Sequence, residues 1–265
     1  MEIQAEPERA REKRHFQRTL FDGVAELYEA SRPGYPPSVA EFVAATAGIA
    51  PGAAVLEVGC GTGQLTELLV SLGVRPTAID IGPSMIDAAR RRIGDSVSFQ
   101  VTSFEEFPAA DASFDLVISS AAFHWIDPEV RYSKPARLLR SGGWLALLGS
   151  EDRYDEPLGA VLEDMWRAGT DTGGAWQQRP GDPGVIAASG LFAAPVVHQH
   201  TERVTRPAAD VIGVECTRAT FLGWPADVRQ AFTGELSEYL RAQPEVHLTR
   251  HTSVTMAQVR SRVAA

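Results

Sequence analysis

The stretch that decides the fold is Ala54-Val55-Leu56-Glu57-Val58-Gly59-Cys60-Gly61-Thr62-Gly63, in which an apolar run leads into three closely spaced glycines. A helical pattern over residues 63–72 follows the apolar run. Glycine lets the backbone pass close to a ligand, because it has no Cβ and adopts positive φ readily. In an open α/β sheet the turn between a strand and its helix lies beyond the carboxyl end of the strand, where ligands bind. The stretch therefore predicts a ligand-binding loop.

Outward from this loop, short apolar runs alternate with helical patterns as far as Gly149. The order strand, helix, strand favours parallel strands joined by right-handed crossovers. Together with two later strands, the pattern predicts an open α/β sheet of seven strands. The predicted strands are residues 54–58, 76–80, 97–101, 114–119, 144–148, 195–204 and 246–255, and the predicted core helices are 63–72, 83–93 and 128–140.

The chain is predicted to form a single domain, because no internal repeat, low-complexity tract or clear linker divides it. In the N-terminal part, apolar residues at helical spacing predict a leader helix over residues 7–31, and a second helix is predicted over 38–49. The parts of the domain are an N-terminal helical cap (1–50), a core (51–150), a lid insertion after the fifth strand (151–194) and carboxyl-terminal strands and helices that complete the sheet (195–265).

Composition excludes several classes of protein. A net charge of -9 argues against a nucleic-acid partner, which normally meets a basic face. The longest uncharged run is too short and too interrupted for a membrane span, and the first residues carry no pattern typical of a secretory signal. With only two cysteines, Cys60 and Cys216, no disulfide framework is expected. We therefore expect a cytoplasmic protein without membrane or nucleic-acid partners, whose oligomeric state the sequence leaves open.

The spacing of the glycines indicates which ligand the loop takes. A dinucleotide fingerprint has its third glycine in the sixth place, but that place holds Gln64, and Gly63 comes one residue early. Glu57, two residues before the first glycine, would repel a phosphate and complement a cation. These features disfavour an NAD-dependent oxidoreductase, which stays as an alternative, and favour a ligand that carries positive charge.

The motif Glu57-Val58-Gly59-Cys60-Gly61-Thr62-Gly63 resembles the first motif of class I S-adenosylmethionine-dependent methyltransferases, Glu/Asp-x-Gly-x-Gly-x-Gly. The resemblance implies a Rossmann-like sheet, mostly parallel with the last strand antiparallel and with helices on both faces. It also implies S-adenosylmethionine as cofactor and S-adenosylhomocysteine as product. In such enzymes the acid that ends the second strand, here Asp80, binds the ribose hydroxyls, and Ile81 and Met85 would flank the adenine.

Two further stretches resemble a subgroup with a methyltransferase type 11 domain, the trans-aconitate-type and other small-molecule methyltransferases. They are the pair His124-Trp125 after the fourth strand and the leader segment with Tyr28 and Arg32-Pro33-Gly34-Tyr35-Pro36. By this resemblance Arg32 would hold the carboxylate of the donor. The cofactor-binding residues expected from the resemblance are Tyr28, Arg32, Glu57, Gly59, Cys60, Gly61, Gly63, Asp80, Ile81, Met85, Ser103, Phe104 and Ala121.

The adenine end departs from the family pattern. The family often carries an aspartate after the third strand that accepts a hydrogen bond from the adenine amino group, and that position is Ser103 here, followed by Phe104. A serine hydroxyl can accept the same bond without charge. Glu105 or Glu106 could replace the missing carboxylate, or the two could form a solvated acidic turn.

Methyl transfer is an in-line displacement at carbon that depends mainly on alignment of nucleophile, methyl group and sulfur. A hydroxyl nucleophile also needs a base, and His124 is the histidine expected at the mouth of the site; the alternative is that it packs beside Trp125. A carboxylate acceptor needs no base. No metal is expected, because the acidic residues after the fourth and fifth strands resemble solvated loops. The expected substrate residues are Tyr35, Trp125, Tyr154 and Trp166, whose aromatic rings suit a hydrophobic small molecule.

Three functions follow from these observations. The first is methyl transfer from S-adenosylmethionine to a small metabolite or natural product, with oxygen favoured as the acceptor atom over nitrogen or carbon. The second is a protein that binds the same donor without turning it over, as a regulator or scaffold. The third is the nucleotide-dependent oxidoreductase. Binding of the donor alone does not separate the first two, because both need the residues of the loop.

Overall fold

The computed structural model describes residues 8–169 and 181–260, apart from the side chain of Ala10. A sheet of seven strands in the order β3-β2-β1-β4-β5-β7-β6 forms its centre. β7 runs antiparallel to both of its neighbours, and the remaining neighbours pair in parallel, so the predicted Rossmann-like sheet is confirmed. The strands are β1 (Val55–Val58), β2 (Thr77–Asp80), β3 (Ser98–Val101), β4 (Phe114–Ser120), β5 (Leu139–Tyr154), β6 (Val196–Pro207) and β7 (Glu245–Gln258).

Helices flank the sheet. Those of the first half are α1 (Glu8–Thr19), α2 (Ala25–Ser31), α3 (Pro37–Ala47), α4 (Gln64–Ser71), α5 (Pro83–Ile93) and α6 (Ser133–Leu138). Those of the second half are α7 (Leu158–Gly169), α8 (Pro183–Ala188), α9 (Ala208–Cys216), α10 (Ala219–Leu222) and α11 (Ala226–Leu240). Short 3₁₀ turns lie at Asp22–Val24 and Phe123–Trp125. None of the helices in the described ranges is long and apolar enough to cross a membrane.

Proline and glycine set the ends of the core helices. α3 and α5 each begin with a proline, whose missing N–H has no partner to lose in the first turn of a helix. α3 ends at Gly48, which adopts a left-handed conformation with φ of 65°. These signals are local, and for that reason the predicted limits of α3 and α5 agree closely with the structure.

Apolar residues cover both faces of the sheet. On one face, β1 and β4 pack against α3 and α4 through a buried cluster that includes Leu65, Leu69 and Leu116. On the other face, a second cluster joins the strands to Phe104, Phe123 and other aromatic residues. A third cluster lies among α7, α9 and α11. Both faces of the parallel strands are thus buried, as the continuous apolar runs in the sequence indicate.

Two helix predictions were too long. The leader helix breaks at Asp22–Val24, because Gly23 lowers helix propensity and the Asp22 carboxylate accepts hydrogen bonds from the backbone N–H and the hydroxyl of Ser84 at the start of α5. The helix predicted over 128–140 covers only Ser133–Leu138. Asp127 caps a turn before it by accepting from the N–H of Glu129.

The fifth strand was predicted too short, at residues 144–148. β5 continues to Tyr154, because residues 144–154 pair along their whole length with β7. Residues 151–154 therefore belong to the sheet, whereas the sequence placed them in the lid. The rest of the predicted lid contains α7 and α8, and residues 170–180, which include Trp176, lie outside the described residues.

Candidate functional site

A cleft opens where the order of the strands reverses, between β1 and β4. We call it the switch-point cleft; its wall comes from the glycine loop after β1, from the residues that follow β2, β3 and β4, and from the N-terminal helices. The volume of the cleft is ≈ 110 Å³. The predicted cofactor residues that line it are Tyr28, Gly59, Gly61, Asp80, Ile81, Met85, Phe104 and Ala121.

The three glycines of the loop have different structural roles. Gly59 has φ of 71°, and a Cβ there would lie 2.2 Å from the Cβ of Ala122, so the loop after β4 packs directly on its backbone. Gly61 has φ of 54° and borders open space in the cleft. At Gly63, where φ is 90°, a Cβ would meet the side chain of Ile93 at 2.9 Å. Gly63 therefore serves the packing of α4 on α5 and does not line the cleft.

Asp80 ends β2 and is fixed by backbone donors. One carboxylate oxygen accepts from the N–H of Gly61 at 2.9 Å, and the other accepts from the N–H of Gly82 at 2.9 Å. Burial raises the pKa of Asp80, and the backbone hydrogen bonds oppose this rise. The acid is therefore held in one orientation at the floor of the cleft, beside the glycine loop.

Glu57 lies beneath the loop with 1% of its surface exposed. Its Oε2 atom has no hydrogen-bond partner among the described residues. Burial raises the pKa of Glu57 to about 8; a hydrogen bond with the side chain of Thr66 opposes the rise, and the charge of Asp80 adds to it. A buried carboxyl oxygen without a hydrogen-bond partner is unfavourable, and a cationic or hydrogen-donating ligand group would remove that penalty. Cys60, also buried, has a pKa raised by burial, which makes its thiol unreactive.

Aromatic rings form the wall opposite the loop. Phe21 meets Tyr28 edge to face with ring centres 6.1 Å apart, and it meets Trp125 in the same way at 6.0 Å. All three residues line the switch-point cleft. Trp125 was expected on the substrate side, whereas Phe21 was not expected in the site. The sequence indicates only that Phe21 belongs to an apolar helix face, not which strand ends that face covers.

Arginines of α1 hold this wall in place. Arg14 is almost fully buried, and its Nη1 donates to the carbonyl oxygen of Trp125 at 2.8 Å. Arg18 lines the cleft and donates to Oε1 of Glu105 at 3.0 Å. The same Oε1 accepts from the backbone N–H of Asp127 at 3.0 Å. Neither arginine was expected in the site, although their spacing of one helical turn is visible in the sequence.

The polar residues considered for contact with the adenine differ in whether they line the cleft. Ser103 is buried and donates to Oε2 of Glu106 at 3.0 Å, and neither side chain lines the cleft. Glu105 does line it. Of the three polar residues considered there, Glu105 is thus the one whose carboxylate borders the ligand space.

Arg32 and Tyr35 lie close to the cleft but contact other groups. The Arg32 guanidinium donates to the carbonyl oxygen and the hydroxyl of Thr217, each at 3.0 Å, where α9 ends. It also lies 5.1 Å from the ring centre of Tyr28. The hydroxyl group of Tyr35 shares a short hydrogen bond with Ser120, which lines the cleft, and burial raises the pKa of Tyr35. In this structure Arg32 therefore terminates a helix and does not border the ligand space.

His124 lies in the 3₁₀ turn after β4. Its ring centre is 4.5 Å from that of Trp125, and the side chain lines a second cavity on the other side of Ala121 and Ala122. Burial, with a contribution from the charge of Arg131, lowers the pKa of His124 to about 4. The imidazole is therefore neutral near pH 7, where it can accept a proton, but it is a weaker base than an ordinary histidine.

Tyr154 and Trp166, expected at the substrate, lie in a different region. Nη1 of Arg206 donates to the hydroxyl oxygen of Tyr154 at 3.2 Å, and Trp166 donates to Glu215 at 2.8 Å. Both line a cavity beside α7 and α9 that shares no residue with the switch-point cleft. Among the residues that the structure describes, no three His, Cys, Asp or Glu side chains are grouped as a metal site would need.

Comparison with known proteins identifies the core. Residues 56–147 match the model of a family described as a methyltransferase domain. An uncharacterized methyltransferase of Mycobacterium tuberculosis is 39% identical over 145 residues, which are 54% of this chain and 56% of that protein. The ubiquinone biosynthesis O-methyltransferase of Xanthomonas campestris is 36% identical over 147 residues, 50% of this chain and 61% of that protein. The chain thus spans little more than half the length of the curated relatives it matches.

The fold comparison extends further along the chain. A solved structure from Anaeromyxobacter dehalogenans, assigned to the type II methyltransferases, aligns with a TM-score of 0.58 at 24% identity. The alignment covers 86% of this chain and 97% of that one, so the two share their fold. Residues 56–147 are therefore similar in sequence to a methyltransferase domain, and most of the chain shares its fold with the structure from Anaeromyxobacter dehalogenans.

Proposed function

We propose that this protein transfers a methyl group from S-adenosylmethionine to an oxygen atom of a small molecule. The observation that carries the proposal is the pair of acids at the glycine loop. Asp80 is anchored by two backbone N–H groups at the floor of the cleft, and Glu57 is buried beneath it with an unpartnered oxygen. A ligand with both hydroxyl groups and a positive charge fits that pair.

The residues of the cleft fit the parts of this donor. Asp80 would hold the ribose hydroxyls, and the apolar side chains of Ile81 and Met85 would pack on the adenine. Glu57 would balance the amino group, and the rings of Tyr28 and Trp125 would face positive charge favourably. When bound, S-adenosylmethionine supplies a methyl carbon from which the sulfur departs as the acceptor oxygen bonds to it, leaving S-adenosylhomocysteine.

The lowered pKa of His124 favours an acceptor whose hydroxyl group is acidic. We propose that its neutral imidazole accepts the proton that a hydroxyl acceptor loses. Because burial and Arg131 lower the pKa of His124 to about 4, it is a weak base. The acceptor hydroxyl should therefore be an acidic one, such as that of a phenol or an enol, whose proton passes to His124 as the bond from oxygen to the methyl carbon forms. The relative from Xanthomonas campestris, named as an O-methyltransferase, also supports oxygen as the acceptor atom.

Two alternatives stay open to experiment. A donor-binding protein without turnover would use the same acids and the same loop. An NAD-dependent oxidoreductase is disfavoured by Gln64, which is buried in the first turn of α4 and accepts a hydrogen bond from Thr62 at 2.9 Å. A side chain therefore occupies the place where a dinucleotide fingerprint has its third glycine.

Isothermal calorimetry with S-adenosylmethionine, S-adenosylhomocysteine and NAD tests the donor first. We expect both sulfur ligands to bind and NAD to give no heat; binding of NAD alone would contradict the proposal. Transfer of a radiolabelled methyl group to small molecules then tests turnover. Tight binding of S-adenosylhomocysteine without any labelled product from a broad set of acceptors would favour the non-catalytic alternative.

A further inference from the structure

A second cavity lies on the part of the sheet that extends beyond the parallel strands. Its centre is formed by three cross-strand rows of β5, β7 and β6: Leu147, Thr255 and Val197; Gly149, Ser253 and Gln199; Glu151, His251 and Thr201. We call it the extension cavity. Three strands at ~4.8 Å spacing and three rows about 6.8 Å apart give a floor of roughly 10 by 14 Å, enough for a ring compound with substituents.

The extension cavity meets the switch-point cleft at one point. Ala121 and Ala122 are the residues that line both. Ala121 has φ of 52°, a conformation rare for residues other than glycine that tends to occur at functional sites. The absence of a Cβ at Gly59 lets Ala122 pack against the glycine loop. His124 lines the extension cavity and not the switch-point cleft. A molecule in the extension cavity would therefore lie next to the donor and beside the imidazole.

The extension cavity is lined mainly by polar side chains, and the charged ones among them form hydrogen bonds within the protein. Nε of Arg153 donates to Oε1 of Glu151 at 3.2 Å. The carboxylate of Asp182 accepts from the N–H of Gly184 at 2.7 Å at the start of α8. What remains for a ligand is an array of hydroxyl, amide and imidazole groups on one face of the sheet, supplied by Gln199, Thr201, His251 and Ser253, of which Thr201 and His251 also hydrogen-bond each other.

One end of the same cavity is apolar. Phe123, Leu147 and Val197 line it there. An apolar end together with neutral hydrogen-bonding groups selects a molecule with a carbon skeleton and several hydroxyl or carbonyl oxygens. Glu151 and Arg153 neutralise each other, and the carboxylate of Asp182 is bound to the first turn of α8, so hydrogen bonds and apolar contacts are what the cavity offers an acceptor.

Building on the proposed function, we infer that the extension cavity holds the methyl acceptor, and that the acceptor is an uncharged ring compound with hydroxyl and carbonyl groups, of the phenol or enol class. Its reacting oxygen would lie at Ala121, with His124 beside it. The oxygen forms a bond to the methyl carbon, the bond from that carbon to sulfur breaks with its electron pair on sulfur, and the hydroxyl proton passes to His124.

The sheet offers a matched pair of residues for the test. Oγ1 of Thr201 hydrogen-bonds Nδ1 of His251 at 3.1 Å inside the cavity. Four residues further along the same edge strand, Oγ1 of Thr205 hydrogen-bonds Nδ1 of His247 at 3.0 Å, outside the cavity. Thr201→Val and Thr205→Val remove the same type of bond from the same face of β6, so they differ in the cavity alone.

The experiment measures transfer of a labelled methyl group to uncharged phenols and enols, carboxylic acids, amines and fatty acids. We expect phenols or enols to be methylated, and Thr201→Val to lower kcat/KM for them about 3- to 10-fold, the effect of one hydrogen bond. Gln199→Leu should act in the same direction. Thr205→Val should leave kcat/KM unchanged, and all variants should bind S-adenosylhomocysteine as the unaltered protein does, which also verifies their folding.

Each other outcome overturns the inference. Methylation of a carboxylic acid, an amine or a fatty acid instead would reject the acceptor class, while the proposed methyl transfer would stand. Equal effects of Thr201→Val and Thr205→Val would reject the location. Binding of S-adenosylhomocysteine without methylation of any class would reject the proposed function, and the inference would fall with it.

Discussion

The switch-point cleft and the extension cavity meet at Ala121 and Ala122 but are built in different ways. The cleft is made largely of residues that directly follow strands, so its glycines and its acid stand next to apolar runs in the sequence. The residues of the extension cavity are brought together by the pairing of strands. Glu151, His251 and Thr201 lie in one row across the sheet, although some 50 to 100 residues separate them in the chain. Ligand sites at strand ends can be recognised from local sequence, whereas sites across strands need the pairing.

The largest effect is expected for a substitution of Gly61, which should weaken donor binding in the switch-point cleft. Gly61→Val would place an isopropyl group in the open space of the cleft, and we expect the Kd for S-adenosylhomocysteine to rise by up to about 150-fold, because overpacking costs about 1–3 kcal/mol. Gly52→Val is the control, because Gly52 also has positive φ and no neighbour within 4 Å of a Cβ, but lies outside the cleft. Calorimetry and thermal unfolding of both variants measure binding and backbone strain separately; equal affinities would place the donor elsewhere.

A substitution of His124 tests whether this residue acts on the acceptor or on donor binding. If it accepts the proton of the acceptor, His124→Ala should lower kcat about 100-fold or more, the usual range for loss of a general base, with little change in the Kd for S-adenosylhomocysteine. His247→Ala, on β7 and outside both cavities, is the control. Steady-state kinetics with calorimetry decide the outcome. A parallel loss of turnover and donor affinity would make His124 a binding residue of the cleft.

Asp80 tests the cleft alone. Asp80→Ala removes a charged hydrogen-bond acceptor, which is worth about 1.5–3 kcal/mol, so the Kd for S-adenosylhomocysteine should rise about 10- to 100-fold. Asp87→Ala, on the exposed side of α5, is the matched control, because Asp87 forms an exposed ion pair with Arg90 three residues later and does not line the cleft. Calorimetry compares the two variants. An unchanged Kd for Asp80→Ala would remove this residue from the ligand site.

The sequence was sufficient for the sheet and for the loop, because their signals are local. Pro83 and Gly94 mark α5 at both ends, and Asp80 stands where a strand ends. It was insufficient for β5. Glu151 and Asp152 have the composition of a solvated loop, yet they lie in a strand, because Asp152 is held by Arg250 at 2.7 Å and by Arg206 at 3.0 Å. Such compensation between distant charges cannot be read from one segment.

Side-chain roles were harder to predict than backbone roles. Arg32 was expected to hold the donor, but in the structure it satisfies the carbonyl group that ends α9. Phe21 was treated as a helix residue, but it borders the cleft, because the break at Asp22–Val24 turns the leader over the strand ends. In each case the tertiary docking of a helix decides the role, and the helix pattern contains no information on docking.

Glu57 gives a smaller effect that belongs to the cleft. Its pKa of about 8, against an ordinary 4.5, means that the folded protein keeps a proton that the unfolded chain has lost, so stability falls as pH rises through this window. His124, with its lowered pKa, changes stability in the opposite direction only below about 6.5. Between pH 6.5 and 8 we therefore expect stability to fall, by at most about 1.4 kcal/mol per pH unit.

Urea unfolding of the unaltered protein and of Glu57→Gln at pH 6.5 and pH 8 measures this slope. The variant cannot titrate at residue 57, so its free energy of unfolding should change less between the two pH values. The difference between the two proteins cancels the contribution of every other group to a first approximation. Identical slopes would show that the carboxyl group of Glu57 is already ionised in the folded protein.

The smallest expected effect concerns Tyr154, which the sequence placed at the substrate. Tyr154 lines a cavity that shares no residue with the switch-point cleft and shares Arg153 with the extension cavity, and Tyr154 itself lines neither of those two. Its hydroxyl oxygen accepts a hydrogen bond from Arg206 at 3.2 Å. Tyr154→Phe should therefore lower stability by about 0.5–1.5 kcal/mol and leave kcat/KM for the acceptor within about twofold. Urea unfolding and steady-state kinetics measure the two quantities. A loss of kcat/KM well beyond twofold at unchanged donor affinity would mean that the acceptor reaches the helical side of the sheet, and the division between the two regions would have to be redrawn around β5.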